Sequence, residues 1–387
     1  MSPGKSSVLV VATLLALAGV TSAATASFGR EISPSIVRTA GTVVVHPKFG
    51  GQILGYDIDQ SGADGVFSEY VNLSKGNVLS ATETFDQSTG AIISVVAKTQ
   101  TMDDFVAEGA FGGHVGLVLH QHKGTNHFLT MNPIDSNHFT GQWTPPIMSG
   151  YQVEGISTGQ GMRNTAAYET SFNTGLTYVF GSDVAANTFG PLISLQSIIN
   201  VDDFFLPQIA MDSRTNHAVL ASSLGCPEPI CTTDIAVVNL QTGKIRKFTD
   251  HLGTGIVDGL AVDAASGIAC TTTLIDQGVE FYDLAKETGF EVHIPNENIL
   301  GAGLDVELDP INHVFLISQF SSNGNVNDPQ PRIYVYDERG NVKETVAIQR
   351  TSISPARIAI NPHTRVGFID EIVEPQHEFL EIQSFKY

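Results

Sequence analysis

Glu154, Asp202, Asp203, Asp258, Asp305 and Arg357 fall where the innermost strands of a repeated β unit are expected to begin. Carboxylates that converge on one axis repel each other unless a cation or a hydrogen-bond donor sits among them. The set therefore predicts one of two things. Either a calcium ion is held among these acids in a channel mouth, or they are solvated or paired with Arg357. The second is the plainer chemistry.

Other spacings that could do chemistry have bland counterparts. Gly155-Ile-Ser157-Thr-Gly159 has the form of a nucleophile elbow, which needs a strand, a sharp turn and then a helix. The residues that follow, 160–165, carry no helical periodicity, so coincidence is expected. Asp57-Ile-Asp59-Gln-Ser61-Gly62 copies the first half of a helix-flanked calcium loop, yet Ser68 stands where a bidentate Glu belongs. A hairpin turn is expected there. His120 and His122 share one face of a strand and form a candidate chelating pair, but spacing fixes no acidic partner, so a structural or solvent-facing role is expected. His217 and His313 each follow Asn in a turn and read as parts of a repeat on the opposite face.

The element that must position these residues recurs down the chain. It is an apolar strand ending in Asp or Asn before a tight turn: Gln208-Ile-Ala-Met-Asp212, Gly259-Leu-Ala-Val-Asp263, Asp305-Val-Glu-Leu-Asp309 and Arg357-Ile-Ala-Ile-Asn361. The last residues lie 263−212 = 51, 309−263 = 46 and 361−309 = 52 apart, the spacing of one four-stranded propeller blade. The expected fold is all-β, a single propeller of about seven blades, six being the alternative count. An N-terminal strand pairs into the last blade and removes two sheet edges. At the front, 51–57 and 66–73 read as the third and fourth strands of a blade, and 79–86 with 91–98 as the opening of the next.

In such a blade the turns between first and second and between third and fourth strands lie on one face, and the remaining connections lie on the other. The first set reads as short. The second reads as long and varied, so any site is expected there. That face would carry 99–113 with Asp103, Asp104 and Glu108, the 226–231 loop, and 321–331.

Lys5 followed by the apolar run 8–20 and small residues at 21–23 reads as a signal peptide over 1–23, leaving 24–387 as one secreted domain. No later run is apolar enough for a membrane helix, and a soluble monomer is expected. A net charge of −20 argues against nucleic acid and bare anionic membranes, which would repel it. With 37 Gly and 16% charged residues, the composition suits short strands and tight turns. In an oxidising compartment Cys226 and Cys231 are expected to pair, and Cys270, in an apolar run, to be a buried thiol. Asn72-Leu-Ser74 is an N-glycosylation sequon.

The stretch Gly259-Leu-Ala-Val-Asp263-Ala-Ala-Ser-Gly267 resembles the broad NHL-like group of propellers that includes the gluconolactonase, paraoxonase-like and lactonase enzymes. That resemblance implies a calcium ion in an acidic, Asn-lined channel and ester hydrolysis, with Glu154, Asp258 and Asp305 as the counterparts. A narrower resemblance, to secreted propeller proteins of fungal trichothecene toxin clusters, is carried by Gly51-Gln-Ile-Leu-Gly-Tyr-Asp57 and Tyr70-Val-Asn-Leu-Ser-Lys-Gly-Asn-Val-Leu-Ser-Ala81. It implies a role accessory to toxin production or host colonisation and transfers no catalytic residue. The leading expectation is a secreted binding or accessory propeller that captures a small molecule or a host or secreted component. A calcium-dependent lactonase and a protein scaffold are the alternatives.

Overall fold

The computed structural model describes residues 43–387 apart from connecting segments, the longer of them 132–138, 144–151, 196–206, 225–231, 251–256, 295–302, 320–329 and 349–353. Between 100 and 154 it describes the backbone alone. Among the described residues there is no helix, and the strands form seven antiparallel sheets.

In chain order, from inner to outer strand, blade one is Gln52–Ile58, Asp64–Asn72, Asn77–Asp86 and Ile92–Thr101. Blade two is Asp104–Gly112, Val115–His122, Thr125–Met131 and Phe139–Trp143. Blade three is Gln152–Thr158, Asn164–Ser171 and Leu176–Asp183, with Thr188–Phe189 and Ile193–Ser194 both paired to its third strand. Blade four is Gln208–Asp212, His217–Leu224, Thr232–Asn239 and Ile245–Asp250. Blade five is Val257–Asp263, Ile268–Thr273, Gly278–Asp283 and Thr288–His293. Blade six is Gly303–Asp309, Val314–Gln319, Gln330–Asp337 and Val342–Ile348. Blade seven is Ser354–Asn361, Val366–Val373 and Glu378–Lys386, and its outer strand is the N-terminal Val44–Val45.

Each inner strand packs on the next, and the seventh packs on the first, so the ring is closed. The joint is made by Val44 opposite Gln383 and Val45 opposite Ile382. Ser384 reinforces it, accepting the Val43 N–H on Oγ at 2.7 Å and donating its own N–H to the Val43 carbonyl at 2.8 Å.

The recurring Asp or Asn is explained by the turns it precedes. Asp212 Oδ1 accepts the N–H groups of Arg214 and Thr215, Asp309 Oδ1 those of Ile311 and Asn312, and Asn361 Oδ1 those of His363 and Thr364. A short side-chain acceptor thus satisfies turn N–H groups that the sheet ladder leaves over. The residue that closes each turn is left-handed: Asn216 at φ 55°, Gly267 at 73°, His313 at 52° and Arg365 at 54°.

The same device ends the third strands. Asp86, Asn239, Asp283 and Asp337 bond their following N–H groups, with Gly90, Gly243, Glu287 and Gly340 left-handed. This corrects the expected layout at the front of the chain. An apolar strand, an acid and a turn mark the third strand as well as the first, and Asp86 ends a third strand. Consequently 52–58 and 64–72 are the first and second strands of blade one, and 77–86 and 92–101 complete it. Asp104 and Glu108, expected in a loop, lie in the inner strand of blade two.

The core consists of layers between blades. Strand residues alternate in direction, so each sheet offers one apolar face to the blade before it and one to the blade after it. Met211, Leu220, Ala236 and Val238 of blade four pack on Ala166, Tyr168 and Val179 of blade three, while Val219, Ile235 and Val237 of the same sheet pack on Val262, Ala269 and Tyr282 of blade five. Cys270 is buried and free, as expected, against Phe281, Phe315 and Tyr334.

Candidate functional site: the acidic channel

The inner strands share a local irregularity. In six of the seven, pairing with the second strand is interrupted: it skips one residue between Ile53 and Gly55, Val106 and Glu108, Val153 and Gly155, Val257 and Gly259, and Gly303 and Asp305, and two between Pro355 and Ile358. The extra residue of a β-bulge has no cross-strand partner, and bulges of this kind re-aim side chains. Glu154 and Asp258 occupy this same position in blades three and five, and Asp305 follows it directly in blade six.

Burial raises Asp258 to about 7. Burial also raises Asp305 to about 7, against hydrogen bonds from the N–H groups of Ile358 and Val306, with repulsion from Asp258 and Asp370 adding to the rise. Asp305 Oδ2 accepts the Ile358 N–H at 2.8 Å and its Oδ1 accepts the Val306 N–H at 2.8 Å, so this carboxyl ties the inner strands of blades six and seven together. Glu307, two residues on, is pushed well above the usual carboxylate range by burial and by the charges of Asp57 and Asp305. Its Oε1 accepts from Gln60 Nε2 at 3.4 Å.

Arg357 is paired, but its partner is not one of the expected acids. Its Nε donates to Asp370 Oδ2 at 2.7 Å, its Nη2 lies 2.5 Å from the same oxygen, and its backbone N–H reaches Asp370 Oδ1 at 2.7 Å. The guanidinium carbon lies 5.9 Å from the centre of the Tyr56 ring, within cation–π range. Tyr56 Oη donates toward the carbonyls of Arg357 and Phe368, at 2.6 and 2.9 Å, across the junction of blades one and seven. Asp370 is fully buried, and the pair keeps Arg357 charged beside the channel acids.

The structure therefore brings Asp258, Asp305 and Arg357 into one electrostatic neighbourhood with Asp57, Glu307, Asp370 and Tyr56. Glu154 shares the bulge position by register, and its side chain lies outside the described residues. Asp202, Asp203, Cys226, Cys231, the 1–23 segment and the side chains of His120 and His122 also lie outside them. Sequence reading missed Glu307 and Asp370, although both left a signal. Glu307 is two residues from Asp305 on a strand, and Asp370 follows the apolar run Val366-Gly-Phe-Ile369, where a buried acid must find a donor.

The bland expectations for the remaining motifs hold. Ser157 lies in a strand, not on an elbow, and its Oγ accepts the Met211 N–H of blade four at 3.0 Å. Residues 59–63 connect the first two strands of blade one, with the Asp59 N–H donating to the Asp64 carbonyl at 2.9 Å. His217 Nδ1 lies 2.6 Å from Thr215 Oγ1, within its own turn.

Neither a protein-family model nor a curated protein sequence matches this chain. Solved structures do. A crystal structure of Raptor from Chaetomium thermophilum aligns with a TM-score of 0.62 at 11% identity over 89% of this chain, which spans 29% of that one. A chain of the mitotic checkpoint complex aligns with a TM-score of 0.59 at 13% identity over 96% of this chain and 99% of that one. The Cps50 (Swd1) β-propeller domain of Myceliophteria thermophila aligns with a TM-score of 0.58 at 10% identity over 87% of this chain and 97% of that one. The chain is a β-propeller. At these identities the likeness is one of fold, and residue roles do not transfer.

Proposed function

We propose that this chain is a secreted, protein-binding propeller whose recognition surface is the sector of blades three to six, on the face away from the tight Asx turns. The distribution of connections carries the reading. On that face 102–103, 123–124 and 374–377 are short, whereas the longer connections 144–151, 196–206, 225–231, 251–256, 295–302 and 320–329 all fall between the entry to blade three and blade six, interrupted by the short 172–175 and 274–277. Loops freed from tight-turn geometry are where recognition concentrates. Asp258 and Asp305 stand at the axial ends of two of these connections, and the chain's net charge of −20 favours a partner with a basic surface. The neighbour from the mitotic checkpoint complex comes from a multiprotein assembly, which agrees with a protein partner.

Secretion rests on the 1–23 segment, and Asn72, exposed at the end of its strand, is the expected glycan site. The narrower role in toxin production or host colonisation rests on the resemblance of 51–57 and 70–81. Replacing 225–231 and 320–329 by short turns is expected to abolish capture of a partner from secreted or host material while leaving the melting transition in place. Capture that survives this change overturns the reading.

The channel acids favour a second reading, a calcium-dependent ester hydrolase, because a cation would relieve the mutual repulsion of Asp258 and Asp305. It requires stoichiometric calcium in undialysed protein, and ester cleavage abolished by a chelator and by Asp258→Asn or Asp305→Asn.

A further inference from the structure

Among the four junctions from blade four round to blade one, that between blades five and six departs from the other three on the tight-turn face. The last residue of an inner strand faces two positions of the next blade, the residue before its second strand and the residue after its third. Those two are joined through the backbone, with Leu284 N–H donating to the Gly267 carbonyl at 3.0 Å, Tyr387 to Arg365 at 3.3 Å and Gln87 to Ala63 at 2.7 Å. Between blades six and seven, Asp309 Oδ2 accepts from Tyr387 Oη at 3.2 Å, and Arg365 stacks on that ring. Between seven and one, Asn361 Nδ2 donates to Gln87 Oε1 at 3.0 Å. Between four and five the slot holds Gly267 and Leu284, and Asp212 Oδ2 accepts from its own Thr215 at 2.6 Å. Each slot thus gives the strand-ending Asx a donor or keeps a second charge away.

Between blades five and six the slot holds His313 and Glu338. Asp263, His313 and Glu338 offer one ligand atom each, all within 4.8 Å of one another. His313 Nδ1 lies 2.6 Å from Asp263 Oδ2, and the Glu338 carboxyl stands beside the same Asp263 carboxylate. Asp263 is buried and anchored by the Ala265 N–H on Oδ1 at 2.8 Å, and Ser266 bonds Glu338. Ligating carboxylates are normally held by outer hydrogen bonds of this kind. His313 and Glu338 sit on turns with accessible side chains, so they are free to close on an ion.

We propose that Asp263, His313 and Glu338 form a divalent metal site of the zinc class at the junction of blades five and six. Imidazole with two carboxylates suits zinc and its neighbours, whereas calcium and magnesium prefer all-oxygen cages. At bond lengths of about 2.0–2.2 Å, tetrahedral ligand atoms stand about 3.4 Å apart. Binding therefore asks His313 to draw back slightly from Asp263. The metal would pin two blades together on the face opposite the channel acids.

Calorimetric titration of zinc into the metal-stripped purified chain tests this, with melting followed in parallel. One zinc per chain and a raised melting temperature are expected, with affinity reduced at least tenfold in His313→Ala and in Glu338→Leu. Glu338→Leu copies the residue type of Leu284 in the neighbouring slot, so it keeps the test open should the histidine variant fold poorly. Asp305→Asn is expected to leave zinc binding unchanged. The proposal is overturned if no zinc binds, if binding survives both cluster variants, or if it is lost instead in a His120→Ala/His122→Ala variant.

Discussion

Arg357 and Asp370 face each other across the first two strands of blade seven, joined by the Arg357 backbone N–H, its Nε and its Nη2. Beside them Tyr56, from blade one, donates to the backbone of both strands. The channel acids thus stand next to a fixed positive charge that is already committed to an internal partner.

Asp370→Asn is expected to destabilise the fold by about 3 kcal/mol, measured by denaturant unfolding. Removing one member of a buried pair leaves the other uncompensated. The value lies at the low end of that range because the Arg357 side chain is 33% exposed. Arg357→Met should cost more than Asp370→Asn, because the charge it strands, Asp370, is fully buried.

Stability is expected to fall as pH rises from about 4 to 8. Burial and a hydrogen bond that protonated Glu83 donates to Glu69 raise Glu83 from its ordinary 4.5 to about 8, although the Lys48 N–H opposes the rise. Burial likewise raises Asp258 and Asp305 from 3.8 to about 7. A carboxyl whose folded value lies above its unfolded value binds its proton more tightly when folded. Its contribution is therefore complete below the unfolded value and lost as pH climbs to the folded one. Glu69 and Glu83 hold the N–H groups of Lys48, Phe49 and Gly51, in the segment that leads from the closing strand into blade one. Glu83→Gln should flatten the slope between pH 7 and 8, as read from melting temperature against pH. An unchanged slope contradicts the assignment.

Gly259→Ala is expected to cost about 1–3 kcal/mol by overpacking. A Cβ at this position would stand 2.8 Å from the Val306 nitrogen and 2.9 Å from the Asp305 Cα, both backbone atoms of the next inner strand. Backbone cannot swing aside as a side-chain end can. Thermal unfolding of the variant decides this, and the same change at Gly267 is a different test because there only its φ of 73° resists substitution.

Asp212→Ala should destabilise by about 1–2 kcal/mol, because the buried acceptor serves the Arg214 and Thr215 N–H groups and the Thr215 hydroxyl. Asp212→Asn should cost less, since its side-chain oxygen still accepts both N–H groups. Equal losses in the two variants would mean that charge, and not the turn, is what matters.

The repeat spacing, the closing N-terminal strand, the turn acids and the buried Cys270 were legible in the chain, because each depends on local pattern: strand alternation, an Asx side chain before a turn, an apolar run. The blade boundaries at the front were not, because Asp86 and Asp212 perform the same local task on a third and a first strand, and local pattern cannot tell them apart. The partner of Arg357 was equally hidden, since Asp370 lies 13 residues away on a strand whose alternation gives no hint of its register. The amino-acid sequence by itself determined a ring of Asx-turned blades and an excess of acid. Tertiary structure alone decided which acids meet, because contacts between blades depend on how seven separately patterned sheets are brought face to face.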